Sequence, residues 1–202
     1  MILDANGYPK TGSTVSRSRD SFRHTGGSGS EIWYVANQGS GTALTTGAPS
    51  ANVLRAFPFI APARGGTLDR IACNVTTPLA GNLRIGVYKA VSDANIYPSD
   101  LLADSGDISS GSATVKTYTV SLDLEPGALY WLAHVGSVAA TLRCMAVGGV
   151  SSLLGMTSAL STAPNAGYSV AHAYAALPDP FTAGGAVITA VPIPALAYRF
   201  SA

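Results

Sequence analysis

Four aspartates, Asp93, Asp100, Asp104 and Asp107, crowd one stretch of the chain, and hard carboxylate oxygens in a loop are the ligands that calcium takes. Their spacing fits no EF-hand loop, however. Asp104-Ser105-Gly106 has the form of a turn in which a carboxylate accepts from its own backbone two residues on, so turn capping is the expected role. Nor do these carboxylates make a hydrolase, because nothing sets a protonated acid opposite a second carboxylate. The three histidines, His24, His134 and His172, lack HxH or HxxxH spacing. His134 shares a strand face with Ala128, Tyr130 and Leu132, which makes it a core or interface histidine rather than a metal ligand. Cys73 and Cys144 show no CxxC spacing and read as two buried thiols or one structural disulfide. Gly26-Gly27-Ser28-Gly29-Ser30 lacks the last glycine of a nucleophile elbow and reads as a linker. Phosphate-loop and dinucleotide signatures are absent from the sequence. The expectation is a protein that is not an enzyme and needs no metal or cofactor.

Aromatic rings offer a different chemistry. A sugar is held by stacking its apolar face on a ring while amide and hydroxyl groups bond its hydroxyls, and this needs no net charge. Tyr97 beside Asn95, and Tyr168 beside Asn165, are the candidate contacts for such a glycan. Burial against a neighbouring subunit is the competing role for each. Tyr130 and Trp131 are adjacent in one run, so if that run is a strand one points inward and the other outward. The sequon Asn74-Val75-Thr76 lies in a strand-like run and is taken as a chance match.

The elements that must position these residues are strands. From about Val53 onward, turn signals recur between short runs with period-two alternation, the pattern of an antiparallel sandwich. Strands are expected at 54–60, 67–76, 82–91, 115–121, 128–136, 141–147, 168–174, 186–191 and 195–200. Ile71, Cys73 and Val75 share one face of their run, as do Leu83, Ile85 and Val87 of theirs, and those faces should form the core. Helix evidence stops at a single turn, Ser99 to Ala103, because Gly and Pro interrupt every longer window. Gly148 to Gly167 reads as a long loop, buried between subunits. Val191-Pro192-Ile193-Pro194 has too few N–H groups for a central ladder and should lead into the last strand from an edge.

Ahead of the sandwich, residues 1–30 are rich in Gly, Ser, Thr and Arg and read as an extended basic arm, with Arg17, Arg19 and Arg23 as particle-anchoring groups that meet acidic or carbonyl partners. Residues 31–52 read as a short strand and a Gly/Ser/Thr-rich linker, and residues 53–202 as the sandwich. With 12 basic and 11 acidic residues, only 11% of 202 side chains are charged and the net charge is +1. A surface so neutral invites association, and a chain without a basic field has nothing with which to displace phosphate counterions, so nucleic acid is excluded as a partner. MILDANGYPK has neither a basic n-region nor an apolar h-region, so no leader is expected. The apolar stretch from Gly127 to Leu142 is broken by His134, Gly136 and Ser137 and too short to cross a bilayer, so no membrane insertion is expected.

Four stretches carry a resemblance: Gly66 to Thr76, Leu83 to Lys89, Tyr97 to Gly106 and Leu124 to Ala133, with a weaker echo in the Pro-rich run near 192–200. In this order they resemble the β-sandwich modules of tailed-bacteriophage virion proteins, both tail or head fibre proteins and capsid decoration proteins. The resemblance implies an all-β, antiparallel sandwich of jelly-roll type behind an extended N-terminal arm, trimers, a non-enzymatic role and a place in the virion after synthesis in the host cytoplasm. Its implied partners are two further copies, other virion proteins (capsid, portal-vertex or tail components) and a host surface glycan. A free bacterial carbohydrate-binding β-sandwich module is the alternative, and it would ordinarily come with a leader or a catalytic neighbour.

Overall fold

The computed structural model describes residues 2–3, 9–10, 33–37, 44–62, 65–92, 94–146, 149–150, 153–156, 165–190 and 192–201. It is all-β among these residues, with two antiparallel seven-stranded sheets and one small hairpin of Ile2–Leu3 (β1) with Pro9–Lys10 (β2). The first sheet is built on one long strand, Gly66–Thr77 (β6). On one side β6 pairs with Val115–Leu124 (β10), and on the other with Ala197–Phe200 (β16) and then with Thr141–Met145 (β12). Tyr34–Val35 (β3) adds to β16, while Leu44–Gly47 (β4) and Ile193–Pro194 (β15) add to β12. The second sheet runs Ala186–Ile188 (β14), Gly167–Ala171 (β13), Val53–Ile60 (β5), Leu129–Gly136 (β11), Asn82–Ala90 (β7) and Pro98–Asp104 (β8), with Ile108–Ser109 (β9) also on β7. The chain crosses between the sheets from β5 to β6 to β7 and again from β9 through β10, β11 and β12 to β13, and β11 slots between β5 and β7. Such winding belongs to the jelly-roll type.

Alternation decides which side chains meet. Phe57 and Phe59 of β5, Ile71, Cys73 and Val75 of β6, Leu83, Ile85 and Val87 of β7 and Leu132 of β11 are all buried in the space between the sheets. The expected core faces are therefore the observed ones. Cys73 and Cys144 are both buried free thiols, and burial pushes the Cys73 thiol up to about 12 and that of Cys144 to about 11. Both stay protonated and unreactive at neutral pH.

A second apolar layer lies on the far side of the second sheet. Leu54 and Ala56 of β5, Tyr88 of β7 and Trp131, Ala133 and Val135 of β11 pack there with Leu177 and Phe181, which belong to the segment after β13. Strand β11 is thus buried on both faces, with Tyr130 toward the first sheet and Trp131, the outward member of the pair, covered as well. Two glycines mark the tight approaches. A Cβ on Gly86 would sit 2.3 Å from Leu177 Cδ1 and 2.5 Å from the Ala103 carbonyl, and one on Gly167 would sit 2.1 Å from the Ala56 carbonyl. Only glycine lets the backbones come so close.

Several expectations need correcting. Ser99 to Ala103 is no helical turn but the middle of β8, where Leu101 faces Tyr88 and Ala103 faces Val87 across two register shifts. The sandwich also begins before Val53, because β3 and β4 are taken into the first sheet by strands from the far end of the sequence. Pairing ends earlier than expected in β13, at Ala171, and in β14, at Ile188. Within the stretch read as a long loop, Gly167 already belongs to β13, while much of the remainder lies outside the described residues. Ile193–Pro194 pairs with β12 alone, as its lack of donors requires.

Candidate functional site

The turn between β7 and β8 is the local product of its own polar side chains. The Ser92 and Asn95 backbones bond each other in both directions, at 3.0 and 3.1 Å, and Asn95 Oδ1 accepts from the Tyr97 amide at 3.2 Å. This turn leaves Asn95 exposed and aims the half-buried Tyr97 ring back over the second sheet. There the Tyr97 hydroxyl donates to the Thr182 carbonyl at 2.7 Å and accepts from the Gly185 amide at 2.8 Å.

Tyr97 and Tyr168, far apart in the sequence, come together with ring centroids 4.8 Å apart. Tyr97 also meets Phe181 at 5.7 Å, Tyr168 meets Trp131 at 5.5 Å, and Phe181 meets Tyr88 edge-on at 5.2 Å. Tyr88 joins Tyr97 in pinning the segment after β13 onto the sheet, since the Tyr88 hydroxyl donates to the Pro178 carbonyl at 2.8 Å. Burial pushes the Tyr88 phenol far up, so it remains a donor throughout the ordinary pH range. Asn165 is half-buried, its amide donates to the Leu154 carbonyl at 3.1 Å, and its Oδ1 is enclosed without a partner. Of the four candidate glycan contacts, the fold joins the two tyrosines, leaves Asn95 open, and sets Asn165 against Leu154. Arg17, Arg19 and Arg23 lie outside the described residues.

Beside the Asn95 turn opens a groove of about 250 Å³. Its walls are Ile60, Ala90, Ile96, Leu129 and Leu153, and Lys89, Ser92 and Glu125 give it polar groups. Lys89 Nζ and Glu125 Oε1 pair at 3.1 Å across it. Among the described residues no aromatic ring lines it, so a sugar would rest there on aliphatic carbon and bond to Ser92, Lys89 and Glu125. Sequence reasoning missed these three, and nothing in their local spacing marks them.

The aspartates do structural work. Asp104 Oδ1 accepts from the Gly106 amide at 2.9 Å, the expected cap, and Oδ2 accepts from the Leu177 amide at 3.0 Å and from Arg84 at 2.8 Å. Arg84 also reaches Asp107 at 2.7 Å, and the Tyr174 hydroxyl donates to Asp107 at 2.9 Å. Asp100 is exposed, and Asp93 lies outside the described residues. Among the described residues no three His, Cys, Asp or Glu side chains gather at metal-binding distance. His172 is half-buried and shares a bond with the Ala176 carbonyl at 3.2 Å, His134 is buried in the core, and His24 lies outside the described residues.

No protein-family model, no curated protein and no solved structure matches this chain.

Proposed function

We propose that this chain is a non-enzymatic structural protein of a tailed-phage particle, a homotrimeric fibre or decoration component. Its arm, with Arg17, Arg19 and Arg23, anchors it to capsid, portal-vertex or tail proteins. The observation that carries the reading is the outer face of the first sheet. There Asn74 and Thr76 of β6 and the exposed Thr117, Thr119 and Ser121 of β10 set short, uncharged side chains around the buried Ala72, with Arg70, which lies opposite Thr119 and has a partner of its own, as a charge among them. Such a field desolvates against another protomer at small cost as long as Arg70 keeps its partner, and the edge of β10 beside it, unpaired among the described residues, asks for cover.

Two measurements test this together. Antibody against the chain should decorate purified particles from cultures that express its gene, and light scattering of the free protein should give three times the 20.5 kDa chain mass. Unlabelled particles would overturn the virion role, and a monomer would overturn the trimer. The groove beside Asn95 favours a second reading, a free carbohydrate-binding module, which a monomer that binds glycans but labels no particle would establish. Contact with a host glycan belongs to the first reading too. Asn95→Ala should then weaken adsorption to whole cells, since three copies amplify each weak contact, while Asn95→Asp, which keeps the oxygen that accepts from the Tyr97 amide, controls for the turn.

A further inference from the structure

One charge in the core has no counterpart. Arg55 stands on the face of β5 that looks toward the first sheet, and it is 8% exposed. Among the described residues its hydrogen bonds run from Nη1 to the Ser50 and Val53 carbonyls, at 3.2 and 3.3 Å. Nε and Nη2 donate to nothing among the described residues, and no carboxylate pairs with this guanidinium. Directly opposite it in the β5–β11 register is His134. That imidazole is 3% exposed, and its Nδ1 is enclosed without a partner.

The groups that face Arg55 cannot balance it. His134 is neutral, because burial first and then the Arg55 charge hold its pKa down to about 3. Cys144, the nearest titratable group of the facing sheet, is a protonated thiol whose Sγ reaches the Gly47 and Leu142 carbonyls at 3.7 and 3.5 Å. An unpaired guanidinium in such a place costs several kcal/mol unless something neutralises it. The unused donors of Arg55 and the idle imidazole supply the complement of an anion: one positive charge and an unpartnered ring nitrogen that donates in the tautomer protonated there.

We propose that Arg55 and His134 hold a small monovalent anion of halide size between the sheets. One positive charge balances one negative charge, so a divalent oxyanion would leave the site overcompensated. The small residual exposure of Arg55 admits an ion more readily than the carboxylate of a partner chain.

The full-length protein should therefore melt higher in sodium chloride than in sodium gluconate at equal ionic strength, by roughly 3–6 °C once chloride is about tenfold over its dissociation constant. Arg55→Met, which keeps the length of the side chain and removes its charge, should abolish the difference, and His134→Phe should shrink it. Crystals soaked in bromide should give an anomalous peak beside the Arg55 guanidinium, and this measurement decides the matter on the unaltered chain if either variant fails to fold. Equal melting in the two salts, a chloride effect that survives Arg55→Met, or bromide peaks confined to the surface would overturn the proposal.

Discussion

His134 makes stability depend on pH in a calculable way. The imidazole is neutral in the fold, with its pKa lowered from 6.5 to about 3. The unfolded chain regains the ordinary value and takes up a proton below it, so stability is full above 6.5 and falls as the pH drops from there toward 3. Each pH unit in that window removes about 1.4 kcal/mol, so moving from about pH 7.5 to about pH 5 costs about 2 kcal/mol through this one residue. Urea unfolding at both pH values, in gluconate buffer so that no halide complicates the charge balance, measures the loss. His134→Phe places a ring of similar size on the same face without a titrating group. It should flatten the profile by about those 2 kcal/mol, whatever it does to absolute stability. A variant whose stability falls between the two pH values as steeply as the parent's would refute the reasoning, since the slope would then belong to the carboxylates.

Two substitutions probe the second sheet. Tyr97→Phe keeps the ring contacts but deletes the bonds to Thr182 and Gly185, so it should cost about 1–3 kcal/mol in urea unfolding and raise amide exchange in 182–185 ahead of the rest of the body. Gly167→Ala drives a methyl group into the Ala56 carbonyl and should break the β13–β5 pairing, read as lost protection at 168–171, while Gly127→Ala, where no atom lies within 4 Å of the added carbon, should preserve that pairing.

The strands that could be read in the sequence are those with one face in the core. Ile71, Cys73 and Val75, like Leu83, Ile85 and Val87, alternate because a single apolar layer demands it. Strand β8 escaped because Ser99 and Asp100 before two leucines imitate the start of a helix, and it is held extended by its pairing with β7 and by bonds to the distant Asp179 and Phe181. Strands β3 and β4 are too short to show a period, and they exist because β16 and β12 recruit them. The tyrosine pair was legible as two residues of the right type but not as a pair, since no local signal says that β13 lies alongside β5. Arg55 read as one strand residue among others, because charge alone does not reveal which side of a sheet it faces.

The pairing of β3 with β16 gives the body a direction. Tyr34 lies opposite Tyr198 in antiparallel register, so the chain arriving through Trp33 and the chain departing past Ser201 share one corner. The Ser201 amide donates to the Thr67 carbonyl there, beside the turn at Glu125 that borders the groove, since Leu124 pairs with Gly66. A tether at that corner makes the groove the proximal pole. The turns at 78–81 and 137–140, near the buried Arg55 and His134, become the distal one. Were the chain anchored through residues 1–30 as proposed, those turns would point away from the anchor and the groove would lie on the anchored side.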